Sequence, residues 1–361
     1  MLPTDTLLDA AGRWFLSSGI QESSGGVARY YRSDAGRNAP VSTEITGYAV
    51  SALVFFFERT RQQEYLDAAI RAARFLTRCA WDPALETFPF ELTSAAVAPC
   101  RLAYFFDCGI IVRGLLAIWR ATNDPEFRDS AIQGGRAMLA DFGGAESIHP
   151  IVSLPEKRAL PYEDRWSASP GCYQLKSALA WFDLYEVTGE TAFLRSYEYA
   201  LEAALSNERD FLPGHPNCEK VMDRLHAYAY FLEGLLPMLN RTDCAASFRS
   251  GLDRVAGYLR EIAPQFARSD VYAQLLRARL YGEKLAAIPL ESEAAEHEAE
   301  RAAMFQLDSP DPRIRGGFGF GLKIGEQMPF VNPVSTAFAV QALALWSDRN
   351  NALDVSRQAL I

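Results

Sequence analysis

The sequence predicts an all-α fold, an (α/α)6 toroid in which six helical hairpins close into an inner and an outer ring of helices. Two observations predict it. A segment of similar pattern recurs roughly every 60 residues, and each copy follows a helix that is apolar on most of its circumference. Hairpins that cannot bury their own faces must stack on neighbours. Six of them, with the more apolar helix of each pair inside, favour a closed ring over an open solenoid. The linkers are short, so a single domain spanning residues 1–361 is expected.

In chain order, an N-terminal helix is expected over Thr6–Leu16 and a first inner helix over Glu44–Glu58. Thr60 then begins TRQQEYLDAAIRAARFL, the first copy of the recurring segment. A second inner helix over Asp107–Trp119 precedes the copy at Thr122, TNDPEFRDSAIQGGRAML. A third over Tyr173–Val187 precedes the copy at Thr188, TGETAFLRSYEYALEAAL. A fourth over Leu225–Leu239 precedes a weaker copy at Arg241, RTDCAASFRSGLDRVAGYL. Each copy has a turn, an aromatic, and apolar residues at i, i+3, i+4 and i+7, which is one buried helical face. Its polar start supplies turn and N-cap chemistry. The fifth and sixth inner helices fall at Asp270–Tyr281 and Ser335–Trp346. The remaining outer partners are the charged segment Glu291–Phe305, the tail from Ala352 and the N-terminal helix. Asp141–Pro170 and Asp308–Asn332 are too long to be simple connections.

Composition narrows the partners. The chain is 49% hydrophobic and 22% charged, enough apolar material for a large core. A net charge of -9 repels phosphate backbones, so no nucleic-acid partner is expected. No run approaches about 18 uninterrupted apolar residues, so no membrane span is expected. MLPTDTLLDAAGRWFLSSG has no basic stretch followed by an apolar one, so no secretory signal is read and a cytoplasmic location is expected. The six cysteines form no CxxC pair and read as reduced thiols.

GGVARYYRS, STEITGYAVSALV, FFDCGIIVRGLLAIWRAT, LHAYAYFLEGLLP and GGFGFG with STAFAVQALALW resemble bacterial α/α-toroid proteins of the terpenoid-cyclase-like, six-hairpin glycosidase-like superfamily. They are similar in particular to proteins associated with polysaccharide-biosynthesis genes. The resemblance covers nearly the whole chain. It implies the fold and leaves open glycoside hydrolases, polysaccharide lyases, sugar epimerases, triterpene cyclases and prenyltransferase subunits. Triterpene cyclases of this shape use a DxDD motif, which this chain lacks. Prenyltransferases and lanthionine-synthetase-like toroids need a zinc site, and the four histidines here (His149, His215, His226 and His297) are far apart in sequence. The expectation is sugar chemistry with no metal and no cofactor.

In such a ring the pocket lies at one mouth, lined by the N-terminal ends of the inner helices. Those ends carry Glu44 and Tyr48; Tyr104 and Asp107; Tyr173, Gln174 and Lys176; Asp223, His226 and Tyr228; Asp270 and Gln274; and Asn332, Ser335 and Thr336. Asp107, in LAYFFDCGII, reads either as a general acid of raised pKa or as an N-cap. Glu44 reads as a second catalytic carboxylate or a partner of the helix dipole. His226 shares a helix face with Asp223, and the pair could form an acid/base relay; a buried structural histidine is the other reading. Tyr228 is a proton donor or core packing. The loop holding Glu163, Asp164 and Trp166 suits sugar binding or a solvated turn. In Gly316-Gly317-Phe318-Gly319-Phe320-Gly321 the spacing of a phosphate loop is missing. A close-packed turn is expected there, with Phe318 or Phe320 facing the pocket and Arg315 and Lys323 available to an anionic substrate.

The function expected is a carbohydrate-active hydrolase, lyase or epimerase working on an oligosaccharide, uronate-containing ones included, by acid/base catalysis. Asp107 leads, with Glu44, His226 and Tyr228 as partners. Tyr48, Tyr104, Tyr173, Lys176 and the loop residues would bind substrate. The rival readings are a non-catalytic toroid that binds a glycan or protein, and an isoprenoid-handling protein. The oligomeric state is left open.

Overall fold

In a computed structural model of the chain, residues 4–91, 101–144, 147–286, 288–350 and 356–361 are described. Among the described residues lie twelve α-helices: α1 (Thr4–Ser17), α2 (Thr43–Thr60), α3 (Gln63–Phe75), α4 (Phe105–Thr122), α5 (Pro125–Phe142), α6 (Gln174–Thr188), α7 (Thr191–Phe211), α8 (Cys218–Leu235), α9 (Thr242–Ile262), α10 (Ser269–Ala286), α11 (Ser292–Ala303) and α12 (Pro333–Ser347). None is long and apolar enough to cross a membrane. Short strands join them: β1 (Val27–Ala28), β2 (Tyr31–Arg32), β3 (Arg37–Asn38), β4 (Val41–Ser42), β5 (Arg101–Tyr104), β6 (Ile151–Leu154), β7 (Arg158–Ala159), β8 (Phe266–Arg268), β9 (Gly321–Lys323), β10 (Glu326–Gln327) and β11 (Phe330–Val331). The sequence reading placed no strands. Pieces of two to four residues are too short to leave an alternating signal.

Helices buried on all sides alternate with helices buried on one. In α12 every residue from Pro333 to Ala344 is buried, and in α10 every one from Ser269 to Gly282. In α3 and α9 only one stripe is buried, such as Tyr65, Ala68, Ala69, Ala72 and Ala73. The fold is described as two compact units, one from the described residues of Gln21–Ala28 and Pro40–Glu208, the other from those of Met1–Ile20, Arg29–Ala39 and Arg209–Ile361.

In the first unit α2 packs on α3 and α4, and α4 packs on α5 and α6. Gly47 and Gly114 let α2 and α4 touch backbone to backbone; a Cβ on Gly114 would stand 2.6 Å from the Gly47 carbonyl oxygen. The recurring threonines end the fully buried helices. Thr60, Thr122 and Thr188 each donate to the carbonyl four residues back, at 2.7, 2.8 and 2.8 Å. Each also accepts from the backbone N–H two residues on. The residue between, Arg61, Asn123 or Gly189, is left-handed. The repeat's threonine is therefore a C-terminal turn of the preceding helix, and a side-chain N-cap within the repeat stands at Asp124 ahead of Pro125.

In the second unit α8 packs on α9 and α10, α10 on α11 and α12, and α12 on α1. Sheet β10-β9-β8 leads into α10 and sheet β11-β2-β3 into α12. The fourth fully buried helix begins at Cys218, not Leu225, capped by the Asn217 side chain on the N–H groups of Glu219 and Lys220. Its first turns carry exposed Glu219 and Lys220, so apolar periodicity starts late. The tail expected as an outer helix from Ala352 begins outside the described residues; beyond it Arg357–Ala359 is a single 3-10 turn.

Each unit contains one Gly-Gly turn built alike. Gly25 and Gly316 have φ of +93° and +87°, and a Cβ on either would lie 2.5 or 2.3 Å from a helix carbonyl, that of Arg71 in α3 or Ala10 in α1. Two residues on, the N–H of Val27 or Phe318 donates to Thr46 or Thr336, at 2.9 and 3.0 Å. Each of those hydroxyls in turn donates to the carbonyl of Ser42 or Asn332. Both threonines are fully buried. Thr46→Val or Thr336→Val leaves a buried N–H without its acceptor, and each is expected to lower unfolding stability by about 1–3 kcal/mol in denaturant titrations. An unchanged midpoint would show that these bonds do not hold the turns.

Candidate active site

In the second unit α8, β8 and α10 bring four polar side chains together around His226. Asp223, His226 and Tyr230 recur on one face of α8 at i, i+3 and i+7. Across from them β8 ends on Arg268, and α10 carries Asp270 and Gln274 one turn apart. The Nδ1 of His226 lies 2.7 Å from Oε1 of Gln274 and 3.4 Å from an Asp270 carboxylate oxygen. Both partners are acceptors there, so Nδ1 carries the proton of the neutral ring and Nε2 bears the lone pair. No hydrogen bond engages Nε2 among the described residues.

Behind the imidazole, Arg268 donates Nε and Nη2 to Asp270, at 3.0 and 2.6 Å, and Nη1 to Asp223 at 2.8 Å. Its guanidinium covers the Phe320 ring at 4.6 Å. Ser269 fixes Phe320 by donating to the Gly319 and Phe320 carbonyls, and Gly321 lets β9 approach β8, where a Cβ would stand 2.5 Å from the Ala267 oxygen. Tyr230 meets the histidine ring edge-on at 4.5 Å.

Burial sets the charge states. It pushes the His226 imidazolium down to about 4, against the pull of Asp270, so the ring is neutral at pH 7. Burial alone would raise the Asp270 carboxyl, but the Arg268 guanidinium and then His226 outweigh it and hold it below the usual range. The sequence reading paired His226 with Asp223 directly. The structure routes that link through Arg268, and the carboxylate beside the imidazole is Asp270. Sequence reasoning missed Arg268; its only signal was an Arg-Ser-Asp charge pair entering an apolar helix.

The first unit gathers a second set. Asp107 is buried on the third residue of α4. It is not the N-cap: Tyr104 holds that position, without a side-chain cap bond. Tyr104 lies 4.9 Å from Phe90, and Tyr173 lies 6.2 Å from Phe106 and 5.0 Å from Trp166. Burial and then the Asp107 charge raise the Tyr104 hydroxyl, opposed by the nearby Arg165. Burial raises Tyr173 as well, with Asp107 adding to it. Glu44, half-buried, sits in the first turn of α2, which Thr43 ties to the Pro89 and Phe90 carbonyls at 3.0 and 3.1 Å. Tyr48 and Lys176 are buried nearby in sequence on α2 and α6. Glu163 and Asp164 are exposed on the loop that Trp166 anchors.

The other candidates stand elsewhere. Tyr228 is fully buried on the α9 side of α8, its hydroxyl 3.3 Å from Arg254, and so off the His226 face. Phe318 is fully buried, and Phe320 is the aromatic that reaches Arg268. Arg315 is exposed and donates to the Ser309 and Pro310 carbonyls; Lys323 pairs with Glu219 at 2.7 Å. Among the described residues no group of three or more His, Cys, Asp or Glu is placed to hold a metal.

The depressed His226 fixes a pH effect. Between about 6.5, the unfolded value, and about 4, the unfolded chain binds a proton that the folded chain does not. Stability therefore rises with pH across that window and is lost on acidification through it. His226→Gln is expected to flatten that part of a stability-against-pH curve; an unchanged slope contradicts the neutral imidazole.

No protein-family model matches the chain, and no curated protein matches it. Solved structures match it along most of its length. A cellobiose 2-epimerase from Spirochaeta thermophila is 14% identical, with 96% of each chain covered and a TM-score of 0.72. A D-mannose isomerase is 9% identical over 94% of this chain and 97% of its own, with a TM-score of 0.69. The unsaturated glucuronyl hydrolase from Bacillus sp. GL1 is 13% identical, with 97% of each chain covered and a TM-score of 0.67. At these identities the likeness is one of fold alone, and the fold is the α/α toroid.

Proposed function

We propose that the chain is a carbohydrate-active enzyme in which His226 accepts a proton from a bound sugar. One observation carries the reading: a neutral imidazole whose Nδ1 is held by Gln274 and Asp270 while its Nε2 makes no hydrogen bond among the described residues. That is a base orientated by a carboxylate, the arrangement acid/base catalysis needs. A base of pKa about 4 has the right protonation state at neutral pH but a weak pull on a proton. Asp270, ionised beside Nδ1, supports the imidazolium once it forms. The fold's occurrence in a cellobiose epimerase and a mannose isomerase agrees with proton transfer at a sugar carbon. There a C–H proton next to the carbonyl of the open-chain sugar would pass to Nε2, leaving an enediolate. Its return to the opposite face of that carbon gives the epimer; its return to the neighbouring carbon gives the isomer.

A second reading rests on Asp107. A buried carboxyl among Tyr104, Phe106, Tyr173 and Trp166 suits a general acid for glycoside hydrolysis, with the aromatic rings stacking on sugar. The substrate in either case is an oligosaccharide or small sugar.

Sugars incubated with the protein in deuterated water distinguish the two by proton NMR. Proton transfer at carbon predicts deuterium at the carbon next to the carbonyl, lost by about 10²–10⁴-fold in His226→Gln with an unchanged melting temperature. Cleavage of an oligosaccharide without exchange, retained in His226→Gln and abolished in Asp107→Asn, would overturn the first reading in favour of the second. In Asp107→Asn a large loss of stability with normal turnover would assign Asp107 to packing.

A further inference from the structure

We infer that Asp223 makes the His226 site selective for uncharged sugars and excludes uronates and sugar phosphates. The inference rests on the proposed sugar chemistry at His226 and narrows its substrate class. Its basis is how the one buried cation of the cluster is used.

A site built for a carboxylate or phosphate offers a guanidinium with free N–H groups, because the planar fork matches two oxygens at once. Three of the five N–H groups of Arg268 are already engaged, and both carboxylates of the cluster hold it. Its Nε and Nη2 are taken by Asp270, its Nη1 by Asp223, and one face of the guanidinium lies on Phe320. What remains without a hydrogen bond among the described residues are acceptors. Asp223 binds Arg268 through one carboxylate oxygen, and its side chain is 43% exposed; the second oxygen makes no hydrogen bond among the described residues. One helical turn away on the same face, Nε2 of His226 presents a lone pair. Two neighbouring acceptors suit two donors, and the neighbouring hydroxyls of a neutral sugar are such donors.

The charge sum points the same way. Asp223 and Asp270 are negative, Arg268 is positive and the imidazole is neutral, which leaves one negative charge. Glu219, one further turn along α8, is cancelled by Lys323 at 2.7 Å. A ligand carboxylate placed here would meet that charge, and Arg268, the cation of the cluster, is already held by two carboxylates. The sequence-level idea that Arg315 and Lys323 serve an anionic substrate has no support in their contacts, since both are engaged elsewhere.

The test is calorimetric binding of paired probes to the full chain: cellobiose against cellobiouronic acid, mannose against mannuronate, glucose against glucose 6-phosphate. The neutral member is expected to bind at least about tenfold tighter. Asp223→Asn keeps the oxygen that Arg268 uses and removes the charge, and is expected to close most of that gap by strengthening the anionic member. Asp223→Glu keeps the charge and should keep the gap, which controls for disturbed packing. Equal or tighter binding of the anionic members, or a gap that Asp223→Asn leaves intact, overturns the inference while the sugar reading stands. Binding of no sugar of either kind sinks both.

Discussion

A helix buried round its whole circumference must pair every charged group it carries, because water cannot. This constraint shapes α8, α10 and α12. Arg277 and Glu233 are both fully buried, and the arginine answers to Glu233, to Gln341 at 3.1 Å and to the face of Phe338. Gln341 passes the link to the chain end through the Ala359 carbonyl and the Ile361 N–H. Arg113 and Asp183 do the same between α4 and α6 at 2.9 Å. Breaking such a pair would strand a buried charge, a loss of about 3–5 kcal/mol, so these residues specify how the helices face one another.

The same rule makes His226 distinctive. Asp270 cannot be buried as a carboxylate without a cation, and Arg268 cannot be buried without acceptors for its fork. Their mutual satisfaction leaves a fixed negative group beside Nδ1, and Gln274 completes that edge. The other edge of the ring is answered by no hydrogen bond among the described residues. The order of cause runs from the β8 strand, which delivers Arg268, to the charge state of Asp270, to the tautomer of the imidazole, and from there to the proton it can accept.

Much of this was legible in the sequence, and the reason is periodicity. Most of the fully buried helices and most of their amphipathic partners fell within a few residues of their observed bounds, because one-faced and all-round burial leave different apolar patterns. Where burial lags behind helix formation, as at Cys218–Lys220, the boundary was missed by seven residues. The threonine of the repeat was visible as a turn, but its true role closing the preceding helix depends on hydroxyl contacts that spacing does not encode. The site was half legible. Asp270, Gln274, His226 and Asp223 stood out as polar residues near helix starts, and the aromatic loop at Trp166 was recognised. Arg268 was not, since a charge that ends a three-residue strand breaks no pattern. Asp107 is not the N-cap of one of its two readings, because Tyr104 holds that position in the extended cap conformation that an aspartate usually takes.

The central claim is that His226 is a neutral base at physiological pH, protonated on Nδ1 and open on Nε2. Nitrogen-15 NMR of the labelled imidazole, followed across a pH titration and assigned with His226→Gln, tests it most directly. The account predicts the Nδ1–H tautomer at pH 7 and protonation only near pH 4. An imidazolium at pH 6 to 7, or a proton on Nε2, would contradict it.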